Sequence, residues 1–326
     1  MKKKSFSKAI RFIIGLLLIY FIYTKLDQER LIGGIESIDW LYVFFAFLTV
    51  ILNRVLMAYK WDILLRSKNI YSGYFYILKV MFIGNFLGMF LPTSVGGDIT
   101  RIYYLTKGNV AKEESVSSVL IDRLTGFFSL FTMALLGLFL SYSILQDKML
   151  LFAIISLFAI FMVTMTILFN IRLAEWLGHK FKNISFIGKV LAQIKSFYVS
   201  IVDYRNNLPV LYKTIFISFV VNFIRVIQTY LLFVAVGANI QFIHVLMFVP
   251  ISLVITQLPI SIAEIGIKEG IYVYLFSTVG IDMALSFLAS VIGTILQFVA
   301  IIPGFLFYVF EDSTLKLNVS PVNEID

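Results

Sequence analysis

Two short stretches gather most of the side chains in this chain that are capable of chemistry. The first, FLPTSVGGDITRIYYL at 90–105, carries Pro92, Ser94, Gly96, Gly97, Asp98 and Arg101. The second, QLPISIAEIGIKEGIYVYLF at 257–276, carries Pro259, Glu264, Gly266, Lys268 and Glu269. Pro92 and Pro259 end the helices that lead into them, because proline lacks the N–H that a continuing helix needs. Gly96-Gly97 and Gly266 permit a tight turn and a close backbone approach. The next helix is expected to begin near Ile99 in the first stretch and near Ile267 in the second. Free N–H groups and the positive dipole end at such a start favour an anion. Arg101 and Lys268 follow within a turn and add full positive charge, and a guanidinium can hold a phosphate through two parallel hydrogen bonds. The first stretch reads as half of an anion cradle and the second as the other half.

The acidic residues have several readings. Asp98 and Glu264 can cap the new helices, pair with Arg101 and Lys268, or carry a coupled proton. Glu269, next to Lys268, is expected to face water. Arg225 stands in the middle of an apolar run, and Asn222, Arg225 and Gln228 at a spacing of three share its face. A charge at that depth is costly and faces a cavity or a partner. Arg54 lies nearer one end of its run, where its side chain can reach the interface. Asp122-Arg123 opens a further run and reads as a local ion pair, a headgroup contact or a boundary marker.

The elements around these residues are those of a membrane protein. The 326 residues are 60% hydrophobic and only 14% charged, with a mean hydropathy of +0.93. Several runs approach the roughly 20 apolar residues that a helix needs to cross a bilayer. The expected fold is all-α and integral to the membrane, a single polytopic domain. Six full spans are placed near 9–26, 40–58, 116–142, 148–170, 211–236 and 282–310, and two broken or re-entrant helical hairpins near 76–108 and 243–280. The first span follows a basic start without a small-x-small cleavage site, so it is read as uncleaved. The segment 171–210 is expected to be a cytoplasmic amphipathic linker.

Loop charge orients the chain. Five Lys and Arg lie in 1–11, at the start of the first span, four lie in 59–79 and seven between 171 and 213. The opposite connections hold two in 25–39, one in 143–148 and none in 237–242. By the positive-inside rule both termini are cytoplasmic, in a multi-pass protein of the plasma or inner membrane. The net charge of +8 is therefore a topology signal, and no nucleic-acid partner is implied. The absence of cysteine excludes disulfides, thiolate metal sites and cysteine nucleophiles. Only His179 and His244 supply imidazole, and no metal or other cofactor is implied.

The two stretches also echo each other. Aligned on their prolines, Leu91-Pro92-Thr93-Ser94-Val95 falls on Leu258-Pro259-Ile260-Ser261-Ile262, an offset of 167 that also places Arg101 on Lys268. Each stretch follows a run with an arginine, Arg54 or Arg225, and precedes another full run. With loop charge giving opposite orientations, 40–142 and 211–310 are expected to form an inverted-topology repeat. Paired interruptions of that kind point to a transporter's central site.

The order Asn85…Leu91-Pro92…Gly96-Gly97-Asp98…Arg101, then Asp122-Arg123, then Pro259…Glu264-Ile265-Gly266…Glu269-Gly270 resembles the membrane domain of the lysylphosphatidylglycerol synthase family over roughly 8–310. In one departure, Asp-Arg stands at 122–123 where the family pattern has Glu-Arg. The resemblance implies lipid binding or translocation. It argues against aminoacyl transfer by this chain, because the soluble transferase domain is not expected in the residues after the last span. The site it implies is Pro92, Gly96, Gly97, Asp98, Arg101, Arg123, Glu264, Gly266 and Glu269, to which the reading of the residues adds Asn85, Ser94, Arg225 and Lys268.

The expected function is binding and translocation of an anionic phospholipid or a polyprenyl-phosphate-linked lipid, with Arg101, Lys268 and Arg225 holding the phosphate and no catalysis. The rivals are a proton-coupled transporter of a small anionic solute, a membrane enzyme acting on a lipid phosphate, and a non-transporting partner in envelope glycan assembly. An anionic membrane lipid is the expected partner, with a second copy of the chain or an envelope-biosynthesis protein as further candidates.

Overall fold

The computed structural model describes residues 17–90, 96–145, 148–169, 200–257 and 265–310. Pro92, Ser94, Pro259 and Glu264 lie outside these residues. So do the start of the expected first span and most of the expected linker at 171–210. Every element among the described residues is helical.

After a helical stretch at 17–23, the chain forms α1 (Gln28–Glu36) and α2 (Trp40–Arg66). Asp27 and Asp39 start them by accepting backbone N–H groups with their carboxylates, the role that short acidic side chains fill at a helix N-terminus. Then come α3 (Tyr74–Phe90), α4 (Gly96–Lys107), α5 (Lys112–Leu145) and α6 (Lys148–Phe169). The second half holds a 3₁₀ turn at Asp203–Asn206, then α7 (Leu208–Ala235), α8 (Phe242–Thr256), α9 (Ile267–Ser277), α10 (Met283–Val299) and α11 (Ile302–Val309).

Among the described residues four stretches are long and apolar enough to cross a bilayer: Trp40–Arg66, Lys112–Ile144, Leu208–Ala235 and Met283–Val309. The last bends between α10 and α11, where Pro303 stands in the first turn of α11 and cannot extend the ladder of the helix before it. The limbs between these spans are shorter. α4 has 12 residues and α9 has 11, which at about 1.5 Å each falls well below the roughly 30 Å of hydrocarbon.

α3 and α4 fold back on each other as an antiparallel pair. The Tyr76 hydroxyl donates to the Tyr104 carbonyl at one end. Near the other end a Cβ added to Gly88 would lie 2.8 Å from Gly97 N, and one added to Gly84 would lie 3.0 Å from Gly97 O. The Gly84-x-x-x-Gly88 spacing lets two backbones meet where no side chain fits. The expected tight turn at Gly96-Gly97 is thus the first turn of α4, which starts three residues before Ile99. The second hairpin restarts at Ile267 as expected, with Gly266 before it at φ +83°.

α2 and α7 run antiparallel through the centre. Asp39 N donates to the Ala235 carbonyl at one end, Asn53 Nδ2 donates to the Val221 carbonyl midway, and the Lys60 ammonium reaches Ser218 Oγ. Beyond their ends Lys68 pairs with Asp203 at 2.9 Å. Outside this centre each half inserts a short helix into the other. Gly137 of α5 abuts the backbone carbonyl of Met247 in α8, and Gly304 of α11 abuts that of Phe82 in α3. Large apolar side chains face outward, among them Phe139, Phe152 and Phe216, while polar ones such as Asp98, Asp122, Ser218 and Asn222 are buried. That distribution suits a protein whose surrounding solvent is lipid.

Candidate functional site

The buried charges converge beside the α3–α4 hairpin. Asp122, on the inner face of α5, is the hinge of the group. Its two carboxylate oxygens lie 2.9 Å from Lys60 Nζ and 2.9 Å from Arg101 Nη2. Lys60 also donates to the Asp122 backbone carbonyl and to Ser218 Oγ. The Arg101 guanidinium lies over the Trp61 ring at 4.2 Å, and the indole N–H of Trp61 donates to Ser118 Oγ. Asp98 extends the chain of charges, with Oδ1 3.6 Å from Arg101 Nη1 and Oδ2 2.7 Å from Arg123 Nε. Asp122-Arg123 is therefore no local ion pair. Helical geometry turns adjacent residues to different faces, and the two pair with different partners on α2 and α4. Lys60, counted above as a loop charge, lies inside α2 and is buried.

These residues border a cavity of about 290 Å³, reached also by Asn85, Gly97 and Arg225. Among the described residues four cations and two carboxylates line it, an excess of positive charge. Ionised groups inside a bundle are stable only in such networks, and removing one partner of a buried pair commonly costs about 3–5 kcal/mol.

A second cavity of about 310 Å³ lies beside the second hairpin, with Arg54, Arg225, Lys268, Gln228 and Gln297 in its wall. A smaller one, of about 150 Å³, shares Arg54, Lys268 and Gln297 with it and shares Asn85 with the first. Arg225 and Gln257 border both the first and the second cavity. The face carrying Asn222, Arg225 and Gln228 thus runs along them: Asn222 lines the first, where it donates to Ser129 Oγ behind it, and Gln228 lines the second. Gly126 faces Lys60 Nζ and Gly293 faces Lys268 Nζ, each 3.7 Å from where a Cβ would stand.

The cations expected to hold the phosphate, Arg101, Lys268 and Arg225, are spread over the two cavities. Arg101 lines the first cavity and Lys268 the second, and of the three only Arg225 belongs to both. Arg54 does not reach for the interface: it donates to Gln297 Oε1 at 2.7 Å, in the wall of the second cavity. Glu269 does not face water. It is 1% exposed, accepts from Gly266 N at 2.6 Å and accepts from Thr294 Oγ1 at 2.9 Å. A buried carboxylate here closes the α9 start, because Gly266 at positive φ leaves its N–H pointing at that acceptor. Gly96 stands at the start of α4.

Reading the residues in line passed over Lys60, Arg54, Gln257 and Gln297 as site members. A signal existed for Lys60. Asn53, Met57 and Lys60 fall at a spacing of four and three, which puts them on one helical face.

UPF0104 membrane proteins of archaea are similar along nearly their whole length. The one from Methanocaldococcus jannaschii is 24% identical over 325 residues, covering 95% of each chain. The one from Pyrococcus horikoshii is 22% identical over 311 residues, covering 89% of this chain and 93% of the relative. The Methanothermobacter thermautotrophicus protein is 22% identical over 314 residues, covering 89% and 91%. No solved structure matches. The family described as the lysylphosphatidylglycerol synthase TM region matches residues 8–304, and the chain belongs to that family.

Proposed function

We propose that the protein binds an anionic phospholipid or a polyprenyl-phosphate-linked lipid and carries its headgroup across the bilayer. The observation that supports this most is the pair of cation-lined cavities that meet at Arg225 and Gln257. In a bilayer such cavities are costly unless they serve a charged cargo. The headgroup would lodge against Arg101 and Arg123 in the first cavity, pass Arg225, and meet Lys268 and Arg54 in the second. The acyl or prenyl chains would stay in the surrounding lipid, beside the apolar outer faces.

The same reading takes 40–142 and 211–310 as two units inverted with respect to each other. Each contains a long span, a short helix, a break, a second short helix and a closing span. The reciprocal contacts Gly137–Met247 and Gly304–Phe82 are what inversion would produce. The two hairpins would then gate the cavities in alternation from opposite faces. We place the protein in the cell membrane with both termini cytoplasmic.

The test is translocation in reconstituted vesicles, with labelled lipids of several headgroups including a polyprenyl phosphate, beside Arg101→Ala. Headgroup-selective movement that the substitution abolishes is the expected result. Folded protein that moves no lipid but takes up a small water-soluble anion would replace this reading. A cavity of about 290 Å³ is large enough for a free small anion, which is the observation favouring that second reading.

A further inference from the structure

We propose that Asp98 is a built-in stand-in for the ligand's anionic group, so that ligand binds in the first cavity by displacing it. This rests on the reading of that cavity as an anion site. A single Asp98 carboxylate spans two guanidinium groups, 2.7 Å from Arg123 Nε and 3.6 Å from Arg101 Nη1. A phosphate or carboxylate ligand would bridge them in the same way.

The contacts around it differ in how firmly they hold. Arg101 is fixed from behind, by Asp122 at 2.9 Å and by the Trp61 ring at 4.2 Å. Asp122 is itself fixed by Lys60 at 2.9 Å. Neither can leave without breaking a buried ion pair. Asp98 has one short contact, and that is to Arg123, whose side chain is the most exposed of the network at 33%. Its contact to Arg101 is long. Asp98 is the member that can move.

Unfilled donors point to what would take its place. Arg101 is 5% exposed, yet its Nε has no hydrogen-bond partner among the described residues, and neither has Nδ2 of Asn85. Both residues line the same cavity as Asp98 and Arg123. An arriving oxyanion would therefore meet donors that Asp98 does not use and take over the two that it does. Without a ligand, Asp98 limits the excess positive charge held in a low-dielectric interior. With one, the entering charge replaces its own. The exchange would also release the Asp98–Arg123 ion pair between α4 and α5, while Arg101–Asp122 holds. Occupancy would thereby loosen the start of α4.

The experiment titrates purified full-length protein in detergent with dioctanoyl phosphatidylglycerol, and separately with inorganic phosphate. Asp98→Asn is expected to bind about tenfold more tightly than the unchanged protein, since the ligand no longer competes with one charge-assisted contact. Asp98→Glu, which keeps the charge, is not expected to tighten binding, and Arg101→Gln is expected to abolish it. Gain with the lipid alone assigns the anion to a headgroup; the same gain with phosphate alone assigns it to a free ion; either supports the exchange. Binding that Arg101→Gln abolishes but Asp98→Asn leaves equal or weaker overturns the stand-in and leaves the anion site intact. No binding by either the unchanged protein or Asp98→Asn overturns the anion site and the stand-in with it. A second measurement needs no neutral variant. With ¹³C-labelled aspartate, the infrared carboxylate band should shift when lipid or phosphate binds, and the shift should vanish in Asp98→Glu. A ligand-saturated protein without that shift overturns the proposal.

Discussion

Gly137 and Gly304 make the same contact from opposite halves of the chain. Each presents a bare Cα to a backbone carbonyl of a short helix belonging to the other half, Met247 for Gly137 and Phe82 for Gly304. The two glycines are 167 positions apart, as are Gly126 and Gly293, which stand beside the ammonium groups of Lys60 and Lys268. The alignment of Pro92 with Pro259 has that same offset, so its spacing recurs in contacts that the prolines take no part in.

Adding a side chain at either interlocking glycine should push a short helix out of place. Gly137→Ala and Gly304→Ala are each expected to destabilise the protein by about 1–3 kcal/mol, the usual cost of overpacking. Thermal unfolding in detergent would read this. Two similar losses fit reciprocal packing, and a large loss at one with none at the other would count against it.

The Lys60–Asp122–Arg101 group should behave as one unit. Asp122→Ala is expected to cost about 3–5 kcal/mol, because it strands two buried cations. Lys60→Met combined with Asp122→Ala should cost clearly less than the two single losses added together. A double-mutant cycle on unfolding midpoints checks this, and strict additivity would contradict the ion-pair geometry.

At the second hairpin, Gly266→Ala forces a side chain into a left-handed backbone position, at φ +83°. A loss of about 1–2 kcal/mol is expected from that strain. Glu269→Ala removes the acceptor for both Gly266 N and Thr294 Oγ1, and a further 1–3 kcal/mol, roughly, follows from leaving buried donors unmet. Glu269→Gln should retain part of it. Unfolding midpoints of the three variants give the comparison.

Two tryptophans report the lipid boundary without labels. Trp40 is 70% exposed and Trp61 is fully buried. In single-tryptophan variants reconstituted with brominated lipid, Trp40 fluorescence should be quenched and Trp61 fluorescence should persist. Equal quenching would mean that lipid reaches the Arg101 side of α2.

The chain lacks cysteine, so single cysteines report topology directly. A cysteine at Lys148 is expected to react with an impermeant maleimide from outside the cell. One at Asp203, which pairs with Lys68, is expected to react only from the cytoplasmic side. The reverse pattern would invert the proposed orientation.

The sequence alone determined the class of fold and the placing of its longest spans. A run of about 20 apolar residues is the signature of a membrane-crossing helix, and glycine permits the turn at which a helix restarts, so the spans at Trp40–Arg66 and Leu208–Ala235 and the restart at Ile267 could be read in line. The shared face of Asn222, Arg225 and Gln228 was equally readable, because helical period is a local property. Which charges meet was decided by tertiary structure. Lys60, Arg101 and Asp122 lie far apart in the chain and join only where α2, α4 and α5 pack. Lys60 looked like a loop charge and Arg54 like a residue bound for the interface, since a charged side chain near the end of a run has the same sequence signature whether it turns to water or to a partner. Glu269 looked exposed because only the packing of α10 brings Thr294 onto it, although its place three residues after Gly266 is the local signature of a carboxylate that closes a helix start. Pair energies depend on distance and burial in three dimensions, and those were set by the glycine contacts that bring Gly84 and Gly88 onto Gly97 and each half into the other.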